Sequence, residues 1–182
     1  MDMLDLSLLD AEELLALGTV DLENDKADAS LIKFKAAMQK DACPDFAHAL
    51  IAKVYAQIKL FNKAEEHYQA FLQKHPDALN EKFQLGMVNL EKGDATKALE
   101  LWDDVLSMMP THPPALFYGA LAHLNNGKAE DAKRNLNVIL QSAPADNLYF
   151  GRAKELLGNI SNSNDTVTPI TPNPAEVYKT RQ

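Results

Sequence analysis

Small and bulky residues recur along this chain at a spacing of 34 positions. A small residue occupies three equivalent places, which are Ala64, Ala98 and Ala132. A bulky residue follows each of them after four places, and a proline follows after eight more: Tyr68, Trp102 and Leu136, then Pro76, Pro110 and Pro144. A fixed period of this length, with small and large residues in phase, predicts an all-α solenoid of helix–turn–helix units.

Each unit divides into two predicted helices. Residues 79–112 show the pattern best, with one helix expected from Asn80 to Glu91 and a second from Thr96 to Met108. The pair Gly93-Asp94 separates them, because glycine ends a helix and aspartate starts the next one. The period assigns residues 11–44, 45–78, 79–112 and 113–146 as repeats. We predict a capping helix at 147–160, from its apolar residues, and an acidic and apolar segment at 1–10. Residues 161–182 are rich in Ser, Thr, Asn and Pro and are predicted to be a disordered tail.

Two repeats depart from this pattern. In residues 45–78 the break falls at Lys59-Leu60 and contains no glycine, so the turn there is less well defined by the sequence. Residues 11–44 keep the phase, since Gly18 lies two periods before Gly86, but they lack the closing proline. Terminal repeats are expected to be atypical because one of their faces has no neighbour.

Composition narrows the class of protein. The chain has 182 residues, of which 46% are hydrophobic, and only seven are glycine. This content supports a sizeable core and favours helix over sheet. A stretch of about 20 apolar residues is absent, so we expect no membrane span. The N-terminus is acidic where a secretory signal would be basic, and Cys43 is the only cysteine; both indicate a cytoplasmic protein.

The charge is concentrated at one end. Residues 1–28 contain nine acidic residues and one lysine, which accounts for the whole formal net charge of -8. An acidic end on a neutral body argues against nucleic acid as a partner, because phosphates require a basic surface. Two interpretations remain open: a solvated face that keeps the array soluble, or an acidic patch that attracts a basic partner segment.

One repeat carries a family resemblance. Leu85-Gly86, Gly93-Asp94, Ala98, Trp102 and Pro110 together resemble the tetratricopeptide repeat family, and the resemblance extends over about residues 11–160. It implies a right-handed helix–turn–helix superhelix with a C-terminal capping helix. It also implies a protein–protein interaction scaffold and not an enzyme. A homo-oligomer is compatible with this role.

The resemblance further implies a binding groove. Members of the family line a concave surface with the second, fifth, ninth and twelfth places of each repeat. The groove residues expected on this basis are Phe46, Ala49, Lys53, Phe83, Met87, Leu90, Phe117, Leu121 and Leu124. These side chains are mostly apolar and share one helical stripe. We therefore expect a protein or peptide partner with an apolar or amphipathic segment, and a role that could be chaperone-like.

Other interpretations of the same residues stand beside this one. Tight winding would bury them against neighbouring repeats, or the segment 1–10 would fill the groove in cis or across a dimer. The protein would then be a structural assembly subunit with a self-filled groove. One branch of the family clamps the acidic tails of heat-shock chaperones with Lys, Asn and Arg. Here those places hold pairs such as Ala49 and Lys53, or Phe83 and Met87, so we do not expect an adaptor for such tails.

The sequence contains no pattern of catalytic residues. Glu65-Glu66 and Asp103-Asp104 are adjacent on helices, so the members of each pair point in different directions and indicate surface charge. None of the five histidines has metal-ligand spacing, and His75 and His112 flank turns, where we expect them to be solvated. Trp102 is predicted to be a core residue. We therefore expect no catalytic site, metal or cofactor.

Overall fold

The computed structural model describes residues 5–162; residues 1–4 and 163–182, with most of the predicted tail 161–182, lie outside the described residues. The described chain is helical, with a short 3-10 helix at Leu6–Leu8 and no strand among residues 5–162. The α-helices are α1 (Ala11–Glu23), α2 (Ala27–Ala37), α3 (Phe46–Gln57), α4 (Phe61–Lys74), α5 (Leu79–Glu91), α6 (Ala95–Met108), α7 (Pro113–Asn125), α8 (Ala129–Ser142) and α9 (Leu148–Asn162).

These helices pack in sequence order. Helices α1 and α2 form one pair, and α3 with α4, α5 with α6, and α7 with α8 form the next three. The second helix of each pair also contacts the first helix of the following pair, and α9 covers α8 and part of α7. The array is therefore a solenoid of four helical pairs with a closing helix, which confirms the predicted all-α fold class. We call the four pairs repeats 1 to 4.

A glycine permits the close approach of the two helices in repeat 3. A Cβ atom placed on Gly86 would lie 2.2 Å from the indole nitrogen of Trp102, so no larger residue fits there. Gly18 has the same relationship to Phe34 in repeat 1. Trp102 is 1% exposed, as the sequence predicted for a core residue, and Ala98 is fully buried beside it. Small residues opposite bulky ones therefore set the spacing of each pair.

The turn inside every repeat has, at the same place, one residue with a left-handed backbone conformation. It is Asp25 with a φ of 58°, Lys59 with 61°, Gly93 with 87° and Gly127 with 71°. The residue after it closes the turn, as when the Leu60 amide donates to the Tyr55 carbonyl oxygen across 2.8 Å. This is the usual C-terminal ending of an α-helix, for which glycine is preferred. Repeat 2 forms the turn with lysine because the packed helices on either side impose it.

Polar side chains cap several of the helices. Asp10 begins α1 in a capping box, since its carboxylate accepts from the Glu13 amide while the Glu13 carboxylate accepts from the Asp10 amide. The Asp94 carboxylate accepts from the Lys97 amide at the start of α6. In residues 5–162, no helix combines the length and apolar character needed to cross a bilayer.

Candidate binding surface

The groove residues expected from the sequence fall into two groups in the structure. Five are buried: Phe83, Met87, Phe117, Leu121 and Leu124. Four retain solvent exposure: Phe46, Ala49, Lys53 and Leu90. The expectation of a continuous open floor of apolar side chains is therefore wrong for repeats 3 and 4, where these positions, except Leu90, belong to the core. The part that remains accessible lies mainly on α3.

Aromatic packing explains the burial in repeats 3 and 4. The ring of Phe83 lies 6.1 Å from that of Trp102 and 5.9 Å from that of Tyr118, measured between centroids. The ring of Phe117 lies 5.7 Å from that of Tyr149, which is on the closing helix. The first contact lies within repeat 3, whereas the other two join repeat 3 to repeat 4 and repeat 4 to the closing helix. Together they exclude water from the faces that the stripe was expected to present. Aromatic side chains from different helices meet here, and helical periodicity alone does not show this.

Repeat 2 presents the accessible part of the stripe. Phe46 begins α3 and is 47% exposed, while Ala49 and Lys53 follow on the same face of the helix and are partly exposed. Among the described residues, the Lys53 ammonium has no ion-pair partner. This surface combines an exposed aromatic ring with a cation about two helical turns away. We call Phe46, Ala49 and Lys53 the α3 stripe.

The N-terminal segment contacts repeat 1. Leu6 and Leu9 are partly buried against the core, and the Lys40 ammonium donates to the Ser7 carbonyl oxygen across 2.8 Å. Lys40 follows the end of α2, so residues 5–9 are held at that end of repeat 1. They do not cover Phe46, which stays half-exposed. The predicted segment 1–10 also includes residues 1–4, which lie outside the described residues.

Two histidines meet between the helices of repeat 2. The Nδ1 atoms of His48 and His67 are 3.1 Å apart, so one ring donates and the other accepts when both are neutral. Burial lowers the pKa of His67, and the positive charges of His48 and Lys35 lower it further. The lowered pKa favours the neutral form of His67 near neutral pH.

His112 corrects one expectation from the sequence. It is buried, whereas the sequence led us to expect a solvated side chain; His75, for which the same was expected, is exposed. The unprotonated Nδ1 of His112 accepts from the Ala115 amide at the start of α7 across 3.2 Å. Burial lowers the pKa of His112, which keeps the ring neutral and able to accept this bond.

Ion pairs between repeats were missed by the sequence analysis. Glu65 on α4 contacts both Lys92 and Lys97, which flank the turn between α5 and α6. Desolvation acts to raise the pKa of Glu65, but hydrogen bonds from the two lysines outweigh it and lower the pKa. The sequence did contain a sign of this contact. Leu31 and Leu99 occupy the same place in their repeats as Glu65, and leucine at that place indicates a position that packs between helices.

Known proteins with a similar sequence profile or a similar fold are tetratricopeptide repeat proteins. A sequence profile of the tetratricopeptide repeat family matches residues 89–160. Among solved structures, MamA aligns with a TM-score of 0.68 and 18% identity, over 82% of this chain and 81% of MamA. A tetratricopeptide repeat protein from Parabacteroides merdae aligns with a TM-score of 0.71 and 19% identity, over 83% of this chain and 60% of that protein.

A third solved structure is of YrrB, described as a tetratricopeptide repeat protein with an unusual peptide-binding site. It aligns with a TM-score of 0.65 and 15% identity, over 85% of this chain and 80% of YrrB. No curated protein sequence matches the chain. The sequence match covers repeat 4 and parts of its neighbours, and the structural matches extend the same fold over most of the array. Residues 89–160 thus match the tetratricopeptide repeat family, and the array as a whole has the fold of these proteins.

Proposed function

We propose that this protein binds an apolar or amphipathic peptide segment of a partner protein at the α3 stripe. Protein–protein interaction scaffolding is the general role that the fold supports, and members of the family are generally non-catalytic. The observation that carries the finer proposal is the exposed Phe46 ring on the face that the family uses for binding. An exposed aromatic side chain in a binding surface supplies a large apolar contact at low entropic cost.

The α3 stripe also favours a particular kind of peptide. Lys53 is a cation without a partner among the described residues, so a carboxylate in the peptide would gain an ion pair there. The ligand that fits is a segment with a hydrophobic side chain against Phe46 and an acidic group near Lys53. YrrB, which has a similar fold, is described as having a peptide-binding site, which supports this class of ligand.

A peptide display library selected on the full chain tests the proposal. Peptides that combine apolar and acidic residues should be enriched, and Phe46→Asp should weaken the best of them by about tenfold or more. Ile32→Asp is the matched control, because Ile32 is 60% exposed on α2, away from the α3 stripe. Enrichment of no peptide, or equal loss of binding in both variants, would contradict the proposal.

The alternative proposal is a structural subunit whose groove is filled by its own N-terminal segment. The partial burial of Leu6 and Leu9 is the observation in its favour. Deleting residues 1–10 should then increase the affinity of the selected peptides, whereas an unchanged affinity would remove this alternative. A cytoplasmic location belongs with either proposal and stays a prediction from the sequence.

A further inference from the structure

The first helix of each repeat has one face that packs against the preceding repeat. The seventh and tenth places of the repeats show it. In repeats 2 and 3 these places hold Ile51, Val54, Leu85 and Val88, of which none is more than 4% exposed. In repeat 1 the same places hold Leu17 and Val20, which are 37% and 53% exposed. The same leucine and valine are therefore covered in repeat 3 and open in repeat 1.

The closing helix shows what covers this face. Helix α9 has no second helix of its own among the described residues, so its apolar side is buried by α8 and α7 alone. The buried residues on it include Ala153 and Leu156, which stand at the seventh and tenth places when the count continues from residue 147. Helix α1 is the converse case: it has α2 beside it, and no α-helix precedes it among the described residues. We call Leu17 and Val20 the edge face.

The repeats also show what shape the edge face accepts. In the inner repeats an α-helix lies against this face: α2 on α3, α4 on α5 and α6 on α7. Helix α5 is the closest match to α1, since it presents Leu85 and Val88 where α1 presents Leu17 and Val20. The described N-terminal residues 5–9 leave the edge face uncovered, as the exposure of Val20 shows. A helix of about the length of α4 therefore fits.

The charges around the edge face select the kind of helix. Glu13 lies one turn before Leu17, and Glu23 lies one turn after Val20; both side chains are exposed. At the place of Glu13, repeats 2 and 4 have the buried Ala47 and Ala115, and repeat 3 has the half-buried Glu81, so Glu13 is the exposed acid of this set. An acidic border on an apolar face attracts a cationic partner and repels a second copy of the same face.

We propose that the edge face of α1 binds a basic amphipathic helix of a partner protein. The helix would lie on Leu17 and Val20 as α4 lies on α5, with its lysines or arginines toward Glu13 and Glu23. The net charge of -8 over residues 1–28 adds a longer-range attraction. This site is separate from the α3 stripe, and it does not depend on peptide binding there.

Two synthetic peptides with blocked ends test the proposal by calorimetric titration of the full chain. One has the α4 sequence of residues 61–74, and the other carries Glu65→Lys and Glu66→Lys, which changes its charge from zero to +4 with histidine neutral. The basic peptide should bind one to one, at least about tenfold more tightly than the neutral one, and more weakly as salt concentration rises.

Variants of the protein assign the binding to the edge face. The double variant Leu17→Asp, Val20→Asp should bind the basic peptide at least about tenfold more weakly. Ile32→Asp and Phe46→Asp should leave the affinity unchanged. Val20→Arg, a single change at an exposed position, repeats the test with less risk to folding, which circular dichroism checks. Glu13→Gln with Glu23→Gln should reduce both affinity and salt dependence, because glutamine preserves the capping box and removes the charge.

Several outcomes would overturn the proposal. Equal binding by the Leu17→Asp, Val20→Asp variant would place the peptide elsewhere, and equal affinity for both peptides would remove the basic character of the partner. A dimer of the full chain that dissociates on the same double substitution would identify a second copy as the occupant. Binding that arises only after deletion of residues 163–182 would identify the chain's own C-terminal segment as the occupant.

Discussion

The indole nitrogen of Trp102 donates a hydrogen bond to the main-chain carbonyl oxygen of Phe83 across 3.1 Å. The bond joins the two helices of repeat 3, and it runs past Gly86, whose missing side chain leaves room for the indole ring. A buried tryptophan needs a partner for its N–H group, and the carbonyl supplies it without displacing a helical neighbour. Trp102 therefore acts in the core as both an apolar and a polar contact.

Gly86→Ala should destabilise the array. The added methyl group would lie 2.2 Å from the Trp102 ring nitrogen, so the helices must separate or the indole must turn, and overpacking of this kind costs about 1–3 kcal/mol. Gly151→Ala is the matched control, because Gly151 is exposed on α9 with nothing within 4 Å, and alanine should gain up to about 1 kcal/mol there. Urea unfolding followed by circular dichroism measures both, and a neutral Gly86→Ala would refute the close approach.

Lys59→Gly should stabilise the protein by about 1 kcal/mol. Lys59 adopts a φ of 61°, in the left-handed region that glycine enters without steric cost. Lys59→Ala keeps that backbone cost while removing the side chain, so it should bring no gain. Gly127 has a φ of 71° and lies in open space. Gly127→Lys should therefore lower the free energy of unfolding by about as much as Lys59→Gly raises it. A gain for Lys59→Ala equal to that for Lys59→Gly would assign the effect to the side chain.

Stability should fall as the pH falls below about 6.5. Burial lowers the pKa of His67, His112 and His123 below the ordinary value of 6.5. The unfolded chain then binds more protons than the folded chain in the window between 6.5 and the lowered values. The stabilisation is complete above 6.5 and is lost as the pH decreases through that window. Thermal unfolding as a function of pH measures it.

His112→Asn isolates one part of this dependence. Asparagine caps a helix as well as histidine does and does not titrate, so α7 should keep its cap while the slope of stability against pH becomes shallower. An equal slope in the wild type and in His112→Asn would show that protonation of His112 has no part in the effect.

Sequence patterns predicted the solenoid well because its determinants repeat. Small residues such as Ala98 face large ones such as Trp102 at a constant spacing, and a wrong frame would disrupt every repeat at once. The groove was harder to predict, since the exposure of Phe83 or Phe117 depends on contacts with residues far away in the chain, including Tyr149. A helical stripe shows which residues share a face, but it does not show how closely the next repeat approaches.

The ion pairs of Glu65 should couple repeats 2 and 3. Its carboxylate contacts Lys92 and Lys97 and is mostly buried, so Glu65→Gln should cost about 1 kcal/mol by leaving two ammonium groups without their partner. Glu66→Gln is the matched control, because it removes the same charge from the next residue, which is exposed. Since the pKa of Glu65 is lowered in the fold, its contribution is complete above the ordinary value of 4.5 and is lost as the pH falls through the lowered pKa. Urea unfolding at neutral pH and below pH 4.5 should therefore show a difference between the two variants that disappears in acid. A difference that persists in acid would show that packing of the side chain, and not its charge, joins the repeats.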